Sequence, residues 1–183
     1  MDDPLRDRRP TRDWAANGQV VEVSEKIGSF TRLVAVVEAD LSALDSGTIP
    51  ADWRNSLVTG KLKFGFPDPQ EDTVAVDISL AVVAAAICQR CLRPFELPLS
   101  TKLALLLAGP QDKIADRDGY EIWELAEESV SPIDIVDEAL VMAMPLSAMH
   151  LDSDACADRE AREVRAEMTT PFASLREQMD EGK

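Results

Sequence analysis

Residues 57–107 constrain this chain more than any other stretch, because their apolar positions recur at a period of two. Leu62, Phe64 and Phe66 fall on one side of the run 57–66, and Lys61, Lys63 and Gly65 on the other. That is the signature of a strand with one wet face. Residues 67–72, Pro-Asp-Pro-Gln-Glu-Asp, form a turn. The stretch 73–87 opens with Val74, Val76 and Ile78 alternating with Ala75 and Asp77, and reads as the return strand of a hairpin. Its alanine triplet, 84–86, is weak strand material. A third strand is expected over 95–107, because Pro94 and Pro98 forbid a helix there. Cys88 and Cys91 then sit in the turn between two antiparallel strands.

The flanks are less regular. Residues 1–18 mix charges with prolines, lack periodicity and read as a flexible arm. A short strand is expected at 19–23. Residues 32–39 are apolar and β-branched and read as another strand, with a helix as the alternative. A helical turn at 40–45 is broken by Ser46-Gly47 and Ile49-Pro50. After a polar loop, 111–119, comes a short strand at 120–125. Ser131-Pro132-Ile133-Asp134 is a helix start, with Ser at the N-cap, Pro at the first helical position and an acid in the first turn. Ile133, Val136, Leu140, Val141 and Met144 form its apolar face, and Pro145 ends it. Two more helices are expected, a charged one over 156–168 and a short amphipathic one over 171–183 with Phe172, Leu175 and Met179 on one side. The fold class is α+β: an antiparallel β-sheet with a Cys-x2-Cys turn, followed by C-terminal helices. The expected organisation is a flexible arm (1–18), a single α+β domain (19–156) and an acidic helical tail (157–183).

Charge narrows the choice of partners. The formal net charge of −15 is uneven: residues 111–183 carry 19 acids against 7 bases, and residues 1–110 carry 15 against 12. Such a field attracts basic proteins and disfavours extensive binding to naked nucleic acid. A solubilising surface is the plainer explanation. No stretch reaches the roughly 18 apolar residues of a membrane helix, and the N-terminus lacks the apolar core of a signal peptide. A cytoplasmic protein without a membrane partner is the expectation. There thiols stay reduced, and the odd count of three cysteines also argues against a disulfide framework.

Cys88 and Cys91 admit several chemistries. A Cys-x2-Cys turn supplies two of the four ligands that zinc takes at a tetrahedron. The remaining soft donors in the chain are His150 and Cys156, so the candidate zinc set is Cys88, Cys91, His150 and Cys156. A redox couple is the second reading, although thioredoxin-like pairs open a helix, whereas here prolines follow and the flanks are strands. Reduced thiols with a solvated histidine are the bland alternative.

Lys61, Lys63, Arg90 and Arg93 give the sheet half a modest basic surface, with Arg54 and Lys102 nearby, and are candidate contacts for RNA or a partner. Aromatic residues are only 5% of the chain and form no stacking motif. A nucleophile motif and a glycine-rich phosphate loop are both lacking, so hydrolytic catalysis has little support. Glu127-Glu128 and Asp137-Glu138 read as solvated helix surface.

Cys88-Gln89-Arg90-Cys91 followed by Pro94-Phe95 resembles the hallmark of the YceD family, the large ribosomal RNA subunit accumulation proteins. Ile133-Asp134-Ile135, the run 140–146, the His150/Cys156 pair and Pro171-Phe172-Ala173-Ser174-Leu175 resemble further family motifs in the same order. The resemblance covers roughly residues 57–176. It implies a non-enzymatic role in the synthesis, processing or stability of large-subunit (23S) ribosomal RNA. The expected partner is a basic ribosomal protein or rRNA-processing factor, with RNA contacted directly or through it. A thiol- or metal-dependent enzyme using the Cys-x2-Cys site is the alternative.

Overall fold

The computed structural model describes residues 3–45, 47–68, 72–109, 112, 117–150 and 156. The chain divides into two compact units, residues 1–148 and 149–183. The first is built from β1 (Arg9–Pro10), α1 (Thr11–Ala16), β2 (Val20–Lys26), α2 (Thr31–Leu41), β3 (Leu57–Gly65), β4 (Val74–Ile87), β5 (Pro94–Ala108), β6 (Glu121–Glu124), β7 (Ser129–Val130) and α3 (Pro132–Ala143). Of the second unit, only Met149, His150 and Cys156 are described.

The period-two pattern becomes a five-stranded sheet of order β2-β3-β4-β5-β6. Its first four strands are antiparallel, and β6 joins β5 in parallel, pairing Leu106 with Ile122. The longest ladder joins β4 to β5, from Val74 opposite Leu107 to Ile87 opposite Pro94. The alanine triplet stays in β4 throughout, and Ala84, Ala85 and Ala86 are all buried. Their small side chains leave room for the elements packed on that end of the strand.

On the inner face, Val21, Val58, Leu62, Phe64, Val76 and Ile78 are buried; α1 packs on β3 and β4, α2 on β4, and α3 on β4 and β5. From α2 come Leu33, Val37 and Leu41, one every fourth residue. Residues 32–39 are therefore helical rather than a strand. Their β-branched content favours a strand only weakly, and the buried stripe at helical spacing overrides it. The face that α3 buries, Ile135, Val136, Ala139 and Leu140, is rotated from the expected one. Ile133, Val141 and Met144 are only partly buried. Pro132 takes the first helical position as expected, while Ser131 makes no side-chain cap.

The N-terminus departs from the flexible arm. Pro10 and Arg9 pair with Ser129 and Val130, forming a two-stranded sheet. Trp14 is 1% exposed, donates from Nε1 to the Val130 carbonyl (3.2 Å) and stacks on Phe64 with ring centroids 5.3 Å apart. Leu5 is buried, and its carbonyl accepts from the amide of Ile133 at 2.9 Å. Two large apolar residues among charges give no periodicity, yet they anchor the segment to the core. The helices expected over 156–168 and 171–183 lie outside the described residues, apart from Cys156. Among the described residues, no helix is long and apolar enough to cross a membrane.

Candidate functional site

The β4–β5 hairpin carries Cys88 and Cys91 in its turn. The amide of Cys88 donates to the Arg93 carbonyl (2.9 Å), and that of Leu92 donates back to the Cys88 carbonyl (2.8 Å). Leu92 takes a left-handed backbone conformation, φ 56°, which lets the chain reverse between Cys91 and Pro94. For a leucine this conformation costs about 1–2 kcal/mol, which the surrounding turn must offset. Pro94 has no amide to lose at the start of β5. The amide of Ile87 donates to Asp40 Oδ2 from the end of α2 at 3.0 Å, tying the hairpin to the helix layer.

Both thiols are buried, their sulfurs lie within 4.8 Å of each other, and neither is in a disulfide. The pair stands between two strands rather than at the start of a helix, where a thioredoxin-like cysteine is activated. The carbonyl of Ala148, at the end of the first unit, accepts from the amide of Gln89 in the same turn at 2.8 Å.

In the second unit, His150 Nδ1 stands 3.3 Å from Cys156 Sγ, with Cys156 buried and His150 partly so. A nitrogen and a sulfur sharing a tetrahedral zinc would be roughly 3.6 Å apart, given Zn–N and Zn–S lengths of about 2.05 and 2.3 Å. The described geometry of this pair suits shared ligation as well as a hydrogen bond.

The four candidate RNA or partner contacts separate into two places. Lys61 and Lys63 lie on the outer face of β3, where Lys61 is opposite Ser79 and Lys63 opposite Asp77. Lys102 of β5 is opposite the other side of Ser79 and completes the cluster. The three lysines border a shallow depression of about 400 Å³ that also includes Asp77, Ala104 and Gly119. No ion pair among the described residues engages any of the three. A second depression, of about 500 Å³, adjoins it, shares Lys63 and Asp77, and is lined by Phe66, Pro67, Ala75 and Tyr120.

Arg90 and Arg93 belong instead to the cysteine turn, beyond the end of β4 at Ile87. From Ser79 to Ile87 is eight residues of strand, roughly 26 Å. Arg54 is occupied elsewhere, over the Trp53 ring at 4.5 Å and paired with Glu38. Sequence reasoning put Lys102 on the same basic sheet half as the lysine pair without fixing its place beside them, and joined neither Phe66 nor Tyr120 to it. The outward phase of Lys102 was readable, but its register against β4 was not.

Asp137 was misread as solvated surface. It is 7% exposed, and its two carboxylate oxygens accept from the amides of Arg32 and Leu33 at 2.8 Å each. Its neighbour Glu138 pairs with Arg32 at the surface.

A small α+β domain whose central hairpin carries a Cys-x2-Cys turn is the class that fold and site define. A family model described as "Large ribosomal RNA subunit accumulation protein YceD" matches residues 76–180, over half the chain. The chain belongs to the YceD family, and the family's name implies a role in the accumulation of large-subunit ribosomal RNA. No curated protein and no solved structure matches the chain.

Proposed function

We propose that this protein is a non-enzymatic ribosome-biogenesis factor acting in the cytoplasm, which supports the synthesis, processing or stability of large-subunit ribosomal RNA. The observation that carries the reading is the family match over residues 76–180, which includes both cysteine clusters. The acidic C-terminal half, with 19 acids against 7 bases, engages a basic ribosomal protein or processing factor. The basic positions of the sheet half, Lys61, Lys63, Arg90 and Arg93, face RNA or the same partner. Depletion of the protein in its host should lower mature large-subunit rRNA relative to small-subunit rRNA, measured by quantitative hybridisation. An unchanged ratio refutes the role.

In this reading Cys88, Cys91, His150 and Cys156 together hold one metal ion, and three thiolates with an imidazole favour zinc. Supporting this, the Ala148 carbonyl is bonded to Gln89 in the cysteine turn. His150 is two residues further along, a span of at most about 7 Å. Such a metal is structural, because four protein ligands leave no open position for substrate. Protein purified under reducing conditions should contain one zinc per chain by elemental analysis. Replacing Cys88 and Cys91 with serine should abolish it and lower the melting temperature. Metal-free wild type with all thiols titratable removes the zinc assignment.

A further inference from the structure

We propose that the outer face of the sheet binds a short segment of single-stranded RNA, with phosphates on Lys61, Lys63 and Lys102 and a base in the adjoining Phe66–Tyr120 depression. The inference rests on the ribosomal reading and deepens it by assigning which surface meets RNA and in what form.

The first argument is charge. The chain carries −15, a net charge that works against binding a polyanion. On this face, three lysines surround one acid, Asp77, with Glu22 opposite Lys61 on the neighbouring strand. Lys61, Lys63 and Lys102 are exposed, and no ion pair among the described residues neutralises them. Cationic side chains left unpaired on a strongly acidic protein make a local attractor for phosphate.

The second argument is shape and chemistry. The two depressions share Lys63 and Asp77, so the cationic one continues directly into one lined by Phe66, Pro67, Ala75 and Tyr120. A positively charged surface beside aromatic rings is how sequence-tolerant single-strand binders hold backbone and base together. Asp77 contributes acceptors at the boundary, where base-edge amino groups would lie. A duplex hides its base faces and cannot use the aromatic depression. Arg90 and Arg93, roughly 26 Å along the sheet, stand outside this footprint.

The test uses the full chain and a fluorescein-labelled oligouridylate of about 12 nucleotides, followed by fluorescence anisotropy across a salt series. Each phosphate neutralised on a single strand contributes about −0.7 to the slope of log K against log salt. The wild type should therefore show a slope near −2. Lys61→Ala/Lys63→Ala/Lys102→Ala should weaken binding at least tenfold and flatten the slope towards zero. Lys102→Glu alone provides the same reading with a smaller change, should the triple variant fold poorly. Tyr120→Ala should weaken binding by roughly tenfold at unchanged slope.

Three results overturn the proposal: no binding by wild type at low salt, a lysine variant that keeps the wild-type slope, or a duplex of equal length bound as tightly. Wild type that restores the rRNA ratio in depleted cells yet binds no oligonucleotide overturns this surface assignment and leaves the ribosomal role standing. A ratio that never falls on depletion removes that role, whatever the anisotropy shows.

Discussion

Asp137 shows how a single carboxylate joins two helices distant in sequence. The residue before α2 is Phe30, whose side chain accepts no hydrogen bond, so the first-turn amides need an acceptor from elsewhere. Asp137 supplies both oxygens from α3, and its negative charge meets the positive end of the α2 dipole. Charge-assisted bonds of this kind are the stronger class. Removing them in Asp137→Ala leaves two donors stranded, at a cost of about 2–3 kcal/mol. For a protein of this size, that lowers the melting temperature by roughly 4–12 °C. Glu138→Ala, one position along, breaks only the pair with exposed Arg32 and should cost less than about 1 kcal/mol. Equal melting temperatures for the two variants would contradict the capping role. Nothing in the dipeptide Asp-Glu distinguishes the buried acid from the surface one. The difference arises only when α3 docks, which is why the sequence reading placed both in solvent.

At the scale of elements, the tightest constraint is where β3 meets β4. Gly60 has φ +155°, and a Cβ there would lie 2.1 Å from the Ser79 carbonyl oxygen and 2.9 Å from Leu80 Cα, both backbone atoms. Neither can move without opening the ladder, so Gly60→Ala should destabilise by about 3 kcal/mol or more, measured by urea unfolding. Gly65, at the end of the same strand, has nothing within 4 Å of its added Cβ. Gly65→Ala should stay within about 0.5 kcal/mol of wild type. A Gly60→Ala protein as stable as Gly65→Ala would show that the two strands do not approach as described. The hairpins themselves were legible, because alternation and paired prolines are local signals: β3, β4 and β5 fall within a residue or two of expectation. α2 was not, since Val34, Val36 and Val37 imitate a strand until Leu33, Val37 and Leu41 are seen to share one buried stripe. The cysteine turn was legible from the strands on either side of it and from the prolines that follow. The lysine face was only half legible, because which β5 residue stands beside Ser79 depends on a register that the hairpin turn sets and no single strand encodes.

For the molecule as a whole, the question is whether the first 18 residues belong to the folding unit. Their composition argues for a dispensable arm, and their contacts argue the reverse. Trp14 fills the space beside Phe64 and carries a hydrogen bond to Val130. Leu5 meets the start of α3, Arg8 bridges Glu127 and Asp134, and β1 pairs with β7. These ties run from the N-terminus to the segment just before α3, so they close the chain around the sheet. The surface pairs contribute little, and the weight falls on the indole. Trp14→Ala removes a fully buried ring, at a cost of about 3–5 kcal/mol. Against a total stability of about 5–15 kcal/mol for a domain, that is at least about a fifth of the margin. Deleting residues 1–18 adds the exposure of Phe64 and the loss of the Leu5 contact, and should leave a protein that no longer unfolds cooperatively. Thermal denaturation followed by near-ultraviolet circular dichroism reads this directly. A truncated protein beginning at Gln19 that melts sharply at the wild-type temperature would return the segment to the status of an arm. A broad or missing transition, with the Trp14→Ala variant intermediate, makes the N-terminus an integral layer of the domain.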